Sequence, residues 1–130
     1  MRVLYISYDG LLDPLGHSQI IPYLKGISSY AKTVNVISFE KSWFEDDEIA
    51  NLRDDLSLLN IAWHPLKFTS GMGAIGKVWD LLKLFTCSIY ISISKSIHII
   101  HARGHVSAQP AFLLKKIFSK KIIFDFRGLW

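Results

Sequence analysis

The residues with chemistry to offer sit at the ends of apolar stretches. IHIIHARGH (residues 97–105) runs from an aliphatic, strand-like segment straight into His101, Arg103 and His105. RVLYISY (2–8) ends in Asp9-Gly10, TVNVISF (33–39) in Glu40-Lys41, and KKIIFDF (120–126) in Asp125-Phe126-Arg127-Gly128. Such groups can hold an anion, hydrogen-bond a hydroxyl or move a proton. In DPLGHSQ (13–19), Gly16 lies just before an expected helix start. Backbone amides there can approach an anion, and the helix end favours negative charge. The stretch matches neither G-x-G-x-x-G nor the P-loop, and a glycine serving turn geometry explains it equally well.

Three histidines invite a metal reading. His98 and His101 are three apart on a strand and so face opposite sides. No cysteine lies near them, and zinc needs convergent ligands; no metal is expected. His98 is assigned to packing beside the sheet, while His105 opens the next helix without a role. His64, ahead of Pro65, is structural or exposed. The simplest role for His101 and Arg103 is a hydrogen-bonded strand end; the sharper one is contact with a substrate hydroxyl and an anion.

The elements that position these groups alternate strictly. Apolar residues at helical spacing mark 18–31, with Ser18 as its cap and Pro22 in its first turn. Residues 46–60 put Ile49, Leu52, Leu56 and Leu59 on one face, with acids at the dipole-favoured start. Ile75, Val78, Trp79, Leu82, Thr86, Ile89 and Ile93 trace a long helix face expected to meet the core. Strands are expected at 61–66 and 96–102, and a helix at 107–118 with Pro110 in its first turn. The resulting β-α-β-α-β-α-β-α-β order predicts one α/β domain over 1–130: a Rossmann-like, doubly wound parallel sheet of about five strands. In such sheets ligands bind beyond the carboxyl ends of the strands, where the ionisable residues gather.

Composition narrows the classes. Half of the 130 residues are hydrophobic, enough for one core. Cys87, the single cysteine, rules out an internal disulfide framework and reads as a buried thiol in a reducing compartment. The N-terminal apolar run is too short for a signal peptide, and lysines and serines break up 81–100 before it could span a bilayer. The net charge is +4 and the pI about 9.2. Without aromatic–basic interleaving or a basic recognition helix, no nucleic-acid partner is expected. Lys115, Lys116, Lys120 and Lys121 flank a helix end and suit its dipole.

Four stretches, DGLLDPLGHSQIIPYLKGIS, VISFEK, IHARGH and IFDFRGLW, together resemble the N-terminal half of family-4 glycosyltransferases of the GT-B fold. The nearest subgroup is the bacterial enzymes of surface-polysaccharide synthesis, and the likeness runs through the whole chain in the family's order. It implies a retaining transfer of sugar from a nucleotide-sugar donor to a glycan or lipid-linked acceptor, with no cofactor and no metal. Gly16, with His17 and Ser18, would lie near the donor diphosphate, and His101 would face sugar and acceptor as the catalytic residue. Asp9, Arg103, Asp125 and Arg127 would contact substrate; Asp125 would bind an acceptor hydroxyl or hold Arg127. Gly104 stands where the family usually has serine, and His17 where it usually has glutamine.

The resemblance further implies that the C-terminal donor-binding domain is missing here, as in a fragment or split gene product, and that the chain alone transfers no sugar. It places the protein in the cytoplasm, with peripheral contact at the inner membrane face, which the basic pI suits. The alternative that sequence pattern alone allows is a non-catalytic Rossmann-like binding or interaction module.

Overall fold

The computed structural model describes residues 1–41, 44–69 and 71–126. Five strands, β1 (Arg2–Ser7), β2 (Thr33–Glu40), β3 (Ile61–Lys67), β4 (Ile99–Arg103) and β5 (Lys121–Asp125), alternate with four α-helices, α1 (Ile21–Ser28), α2 (Asp46–Ser57), α3 (Gly73–Ser94) and α4 (Gly104–Phe118). The sheet order is β3-β2-β1-β4-β5, and every pairing is parallel. This is the expected Rossmann-like doubly wound sheet.

The central strands read as continuous apolar runs because both their faces are covered. Val3, Tyr5, Val34 and Val36 pack under Leu24 of α1 and Ile49 and Leu56 of α2. Leu4, Ile6, Ile37 and Phe39 pack against Leu84 and Ile91 of α3 and Leu114 of α4. The edge strand β5 differs: Ile123, Phe124 and the following Phe126 are exposed.

Several local expectations are corrected. Helical geometry begins at Pro14, four residues before Ser18, and Ser18 caps nothing; its hydroxyl reaches the Leu15 carbonyl at 3.5 Å. Asp13 takes the first helical hydrogen bond, from the His17 N–H at 3.1 Å, so Pro14 fills the first helical position, where its missing N–H costs nothing. Residues Gly16–Ile20 form a π-helical turn, with the Ile21 N–H reaching back to the Gly16 carbonyl. Pro22 follows directly, and the wider turn ahead of it relieves the clash a proline makes in an α-helix. α4 starts three residues earlier than expected, which puts Pro110 inside the helix. His98 is exposed ahead of β4 instead of packed beside the sheet, and its Nδ1 accepts the Arg2 N–H at 3.1 Å. His64 is half-buried, 3.2 Å from Asn35 Oδ1, and burial with nearby Lys95 and Arg53 lowers its pKa. Cys87 is half-buried, and burial raises its thiol pKa.

The largest correction concerns α3. Most of the stripe expected to face the core is turned outward: Ile75 is 69% exposed, Val78 60%, Trp79 56% and Leu82 53%, whereas Ile89 packs against the core as expected. The inward face carries Gly76, Asp80, Leu84, Ser88 and Ser92. Asp80 explains the orientation. Its carboxylate accepts the Thr69 N–H at 3.0 and 3.1 Å, the Thr69 hydroxyl at 2.7 Å, and pairs with Lys83 at 3.0 Å. A carboxylate so tied fixes the rotation of the helix start. Burial alone would raise the Asp80 pKa, but the hydrogen bonds and Lys83 outweigh it and hold the pKa below its ordinary value. A depressed carboxyl pKa gives stability that is present above the unfolded pKa and lost as pH falls through the folded one. Asp80→Asn is therefore expected to cost about 2 kcal/mol near neutrality, with the gap to wild type closing in acid. Urea denaturation at both pH values checks this; a deficit that persists in acid would contradict it.

Candidate functional site

The strand order reverses between β1 and β4: the chain runs outward from β1 to β3, then returns to place β4 and β5 on β1's other side. Crevices at such switch points, beyond the strand carboxyl ends, are where these sheets hold ligands. The register brings the candidates there. Tyr5 pairs with His101, Ser7 with Arg103, and Arg103 with Asp125.

Arg103 is the most constrained of them. It is 4% exposed, yet only partly satisfied. Nη2 donates to Gln19 Oε1 at 3.1 Å, and Nε lies 3.5 Å from Asp9 Oδ2, an ion pair too long to be a hydrogen bond. Among the described residues Nε and Nη1 have no hydrogen-bond partner. A buried guanidinium with idle donors is costly to keep, and it is preorganised for an anionic oxygen.

His101 lies deeper on the same face. Its ring stands 4.8 Å from the Tyr5 ring and 5.2 Å from the Tyr23 ring, and Nε2 is 3.6 Å from Asp125 Oδ2. At 4% exposure it lies beneath Tyr23 rather than open to solvent. The crevice thus pairs an arginine and a histidine of the same strand with two acids from neighbouring strand ends: Arg103 with Asp9, and His101 with Asp125. Asp9 is half exposed, and its backbone is held by Ser7, whose hydroxyl accepts the Asp9 N–H at 3.1 Å.

The glycine loop has a different form from the one expected. Gly16 stands within the first helical turn, not ahead of it. A Cβ placed on it would lie 2.3 Å from the Gly10 carbonyl oxygen and 2.4 Å from that of Leu11. Its absent side chain lets the helix start close on the β1 loop, and backbone fills the space on that side. His17 and Ser18 are exposed. The π turn carries Gln19 to Arg103, in keeping with the frequency of such turns at functional sites.

Glu40 braces this loop from below. Fully buried at the end of β2, it accepts the Leu11 N–H at 3.0 Å, the Leu12 N–H at 2.9 Å and the Ser38 hydroxyl at 2.8 Å. Ser38 in turn accepts the Trp63 indole N–H at 2.7 Å. Burial raises the Glu40 pKa despite these donors, with nearby Asp13 adding to the rise.

Arg127 and Gly128 lie outside the described residues. His105 packs edge-on against Phe124 and Phe126, at 5.7 and 5.4 Å. Tyr5, Tyr23 and Gln19 were not candidates from sequence; only Gln19, inside the glycine loop, carried any signal. Among the described residues no group of three His, Cys, Asp or Glu side chains is placed to hold a metal ion. A hollow of about 300 Å³ opens at the opposite, amino edge, lined by Arg2, Asn35, Asn60 and Lys95 among others. We place the candidate site at the carboxyl edge instead, because the buried ionic groups converge there, whereas Asn35 at the amino edge is already engaged by His64.

No family model matches the chain, and no curated protein matches it in sequence. Solved structures that share its fold include the following two. A glycosyltransferase from Rickettsia africae superposes on 99% of this chain with a TM-score of 0.61 at 16% identity, and the chain spans 30% of that protein's length. The C-terminal domain of a hydrogenase from Pyrococcus furiosus gives a TM-score of 0.62 at 14% identity, covering 96% of this chain and 91% of that one. The fold is thus glycosyltransferase-like, and at these identities the likeness is one of fold alone.

Proposed function

We propose that the chain is the acceptor-side domain of a retaining, family-4 glycosyltransferase of the bacterial surface-polysaccharide type. In this reading a nucleotide-sugar donor gives its sugar to a glycan or lipid-linked acceptor. The observation that carries it is Arg103, buried at the switch point with idle N–H donors beside the His101–Asp125 pair. Glycosyl transfer builds positive charge on the sugar and negative charge on the leaving diphosphate. Arg103 and the helix start at Leu15 and Gly16 supply positive potential for the diphosphate. His101 orients a sugar or acceptor hydroxyl, and Asp9 and Asp125 accept from acceptor hydroxyls. His17 and Ser18, exposed on the first turn, border the donor diphosphate.

No metal or cofactor enters this reading, and the enzyme works in the cytoplasm. The donor-binding domain completes the site, so the chain by itself turns over no nucleotide sugar. The bare apolar surface of β5 suits a further packed unit.

Titration with inorganic pyrophosphate, followed by NMR, tests the anion half of the reading. The Arg103 Nε–H and the Leu15 and Gly16 amides are expected to shift, and Arg103→Met to weaken binding by roughly tenfold. No response at these groups would sink the assignment. In protein that joins this chain to a donor domain, His101→Ala should lower turnover by about a hundredfold with folding intact; surviving activity would remove His101 from the mechanism.

The second reading is a non-catalytic Rossmann-like module. The hydrogenase domain favours it, since it matches the fold equally well over nearly its whole length. Absence of turnover once a donor domain is supplied would select it.

A further inference from the structure

Far from the carboxyl-edge crevice, the ends of α3 and α4 border another opening. A hollow of about 370 Å³ is lined there by Ser92, Ile93, His98, Phe118 and Lys120 among others. A second, of about 500 Å³, shares His98, Phe118 and Lys120 with it and adds Lys121. Ser92 is the anomaly. It is 2% exposed, and among the described residues its hydroxyl has no hydrogen-bond partner. Ser88, one turn earlier, shows the ordinary solution: its hydroxyl donates to the Leu84 carbonyl at 2.7 Å. A buried hydroxyl left idle costs stability, and this one belongs to a residue of the hollow's wall.

The other donors are fixed in place. The His98 N–H donates to the Arg2 carbonyl at 3.0 Å, and His98 Nδ1 accepts the Arg2 N–H at 3.1 Å. With Nδ1 an acceptor, the proton of the neutral ring resides on Nε2 and makes it a donor. Lys120 Nζ donates to the Ile97 carbonyl at 2.6 Å, and its other N–H bonds are unclaimed among the described residues. No acid occurs between residues 81 and 124, and both hollows are built from that stretch apart from Met1. Helix carboxyl ends carry negative partial charge. Here the Ile91 and Ser92 carbonyls are taken by the Lys95 and Ile97 N–H groups, at 2.9 and 3.3 Å.

We infer that this opening is a second binding site, for the phosphate group of a soluble phosphomonoester. Ser92, His98 and Lys120 offer one donor each to its three terminal oxygens, and Lys121 adds charge for a dianion. A phosphodiester or a carboxylate has two such oxygens and would leave one donor idle. Ile93 and Phe118 supply apolar wall for an organic body beyond the phosphate. The inference stands independently of the glycosyltransferase reading, since it uses no residue of the carboxyl-edge site.

Titration of the chain with phenyl phosphate, followed by NMR, tests it residue by residue. The His98 ring nitrogens and the Lys120 amide are expected to shift. Ser92→Ala should weaken binding, read at His98, by about fivefold, and Lys120→Met by at least about tenfold. Ser92→Ala removes only an unpaired hydroxyl, so its far-UV circular dichroism should match wild type. Lys116→Met, on the exposed side of α4, should leave binding unchanged. Methyl phenyl phosphate, a phosphodiester, should bind at least about tenfold more weakly. The inference is overturned if His98 does not respond, or if the response is confined to Leu15, Gly16 and Arg103. It is also overturned if Ser92→Ala binds as wild type does, or if the diester binds equally well. Equal losses in Lys116→Met and Lys120→Met would overturn it too, because they would mean diffuse attraction to surface charge.

Discussion

Gly16→Ala is expected to lower the unfolding free energy by about 3 kcal/mol, the upper range for overpacking. The new Cβ would sit 2.3 Å from the Gly10 carbonyl oxygen and 2.5 Å from the Leu11 carbonyl carbon. Those atoms are backbone, and the Leu11 and Leu12 amides are fixed by Glu40, so the helix start must move instead. That motion pulls Gln19 away from Arg103, so anion binding at the crevice weakens together with stability. Gly26→Ala in α1 is the control. Nothing lies within 4 Å of its Cβ position, and a helical alanine should stabilise by about 0.5 kcal/mol. Guanidinium melts of both variants check the pair; equal effects of the two substitutions would disprove the close-approach account.

Glu40→Gln is expected to cost about 2 kcal/mol. A carboxylate gives its three donors only acceptors, whereas an amide must turn an NH₂ towards one of them. The pH dependence has a definite sign. Burial raises the Glu40 pKa in the fold, so its protonation-linked stability is fully present below the unfolded pKa and fades as pH rises through the folded value. Glutamine has no such term. The deficit of the variant should therefore be largest in acid and narrow on the way up. Denaturant melts across that range measure it, and a deficit that widens with pH would mean that the folded carboxyl is depressed instead.

The layer order was legible because it rests on periodicity. Strands buried on both faces read as apolar runs, and helices of three or more turns declare their spacing. The switch-point rule then located His101, Arg103 and Asp125 at one edge. What was missed came from local conflicts that periodicity does not weigh. Asp13-Pro14 is a strong helix start, yet Ser18 was preferred because Pro22 seemed to need a first turn, and the π turn removes that need. The α3 face was misplaced because apolar spacing was equated with burial. One inward acid, Asp80, outweighs that stripe, since an ionised carboxylate with its hydrogen bonds made stays where they are. The burial of Arg103 was beyond the pattern, because it depends on Gln19, which lies 84 positions away in sequence.

The hydrogen bonds beneath the crevice have a direction. Trp63 donates to Ser38, and Ser38 donates to Glu40. Each hydroxyl has a single proton to give, so the charge on Glu40 decides which way Ser38 points. Once the carboxyl is protonated, Ser38 can turn its proton elsewhere, while its Oγ still accepts the indole N–H of Trp63. Trp63 is 3% exposed on an outermost strand. In a variant that keeps Trp63 and replaces the other three tryptophans by phenylalanine, its ultraviolet emission thus senses the ionisation state under the glycine loop through this shared hydroxyl.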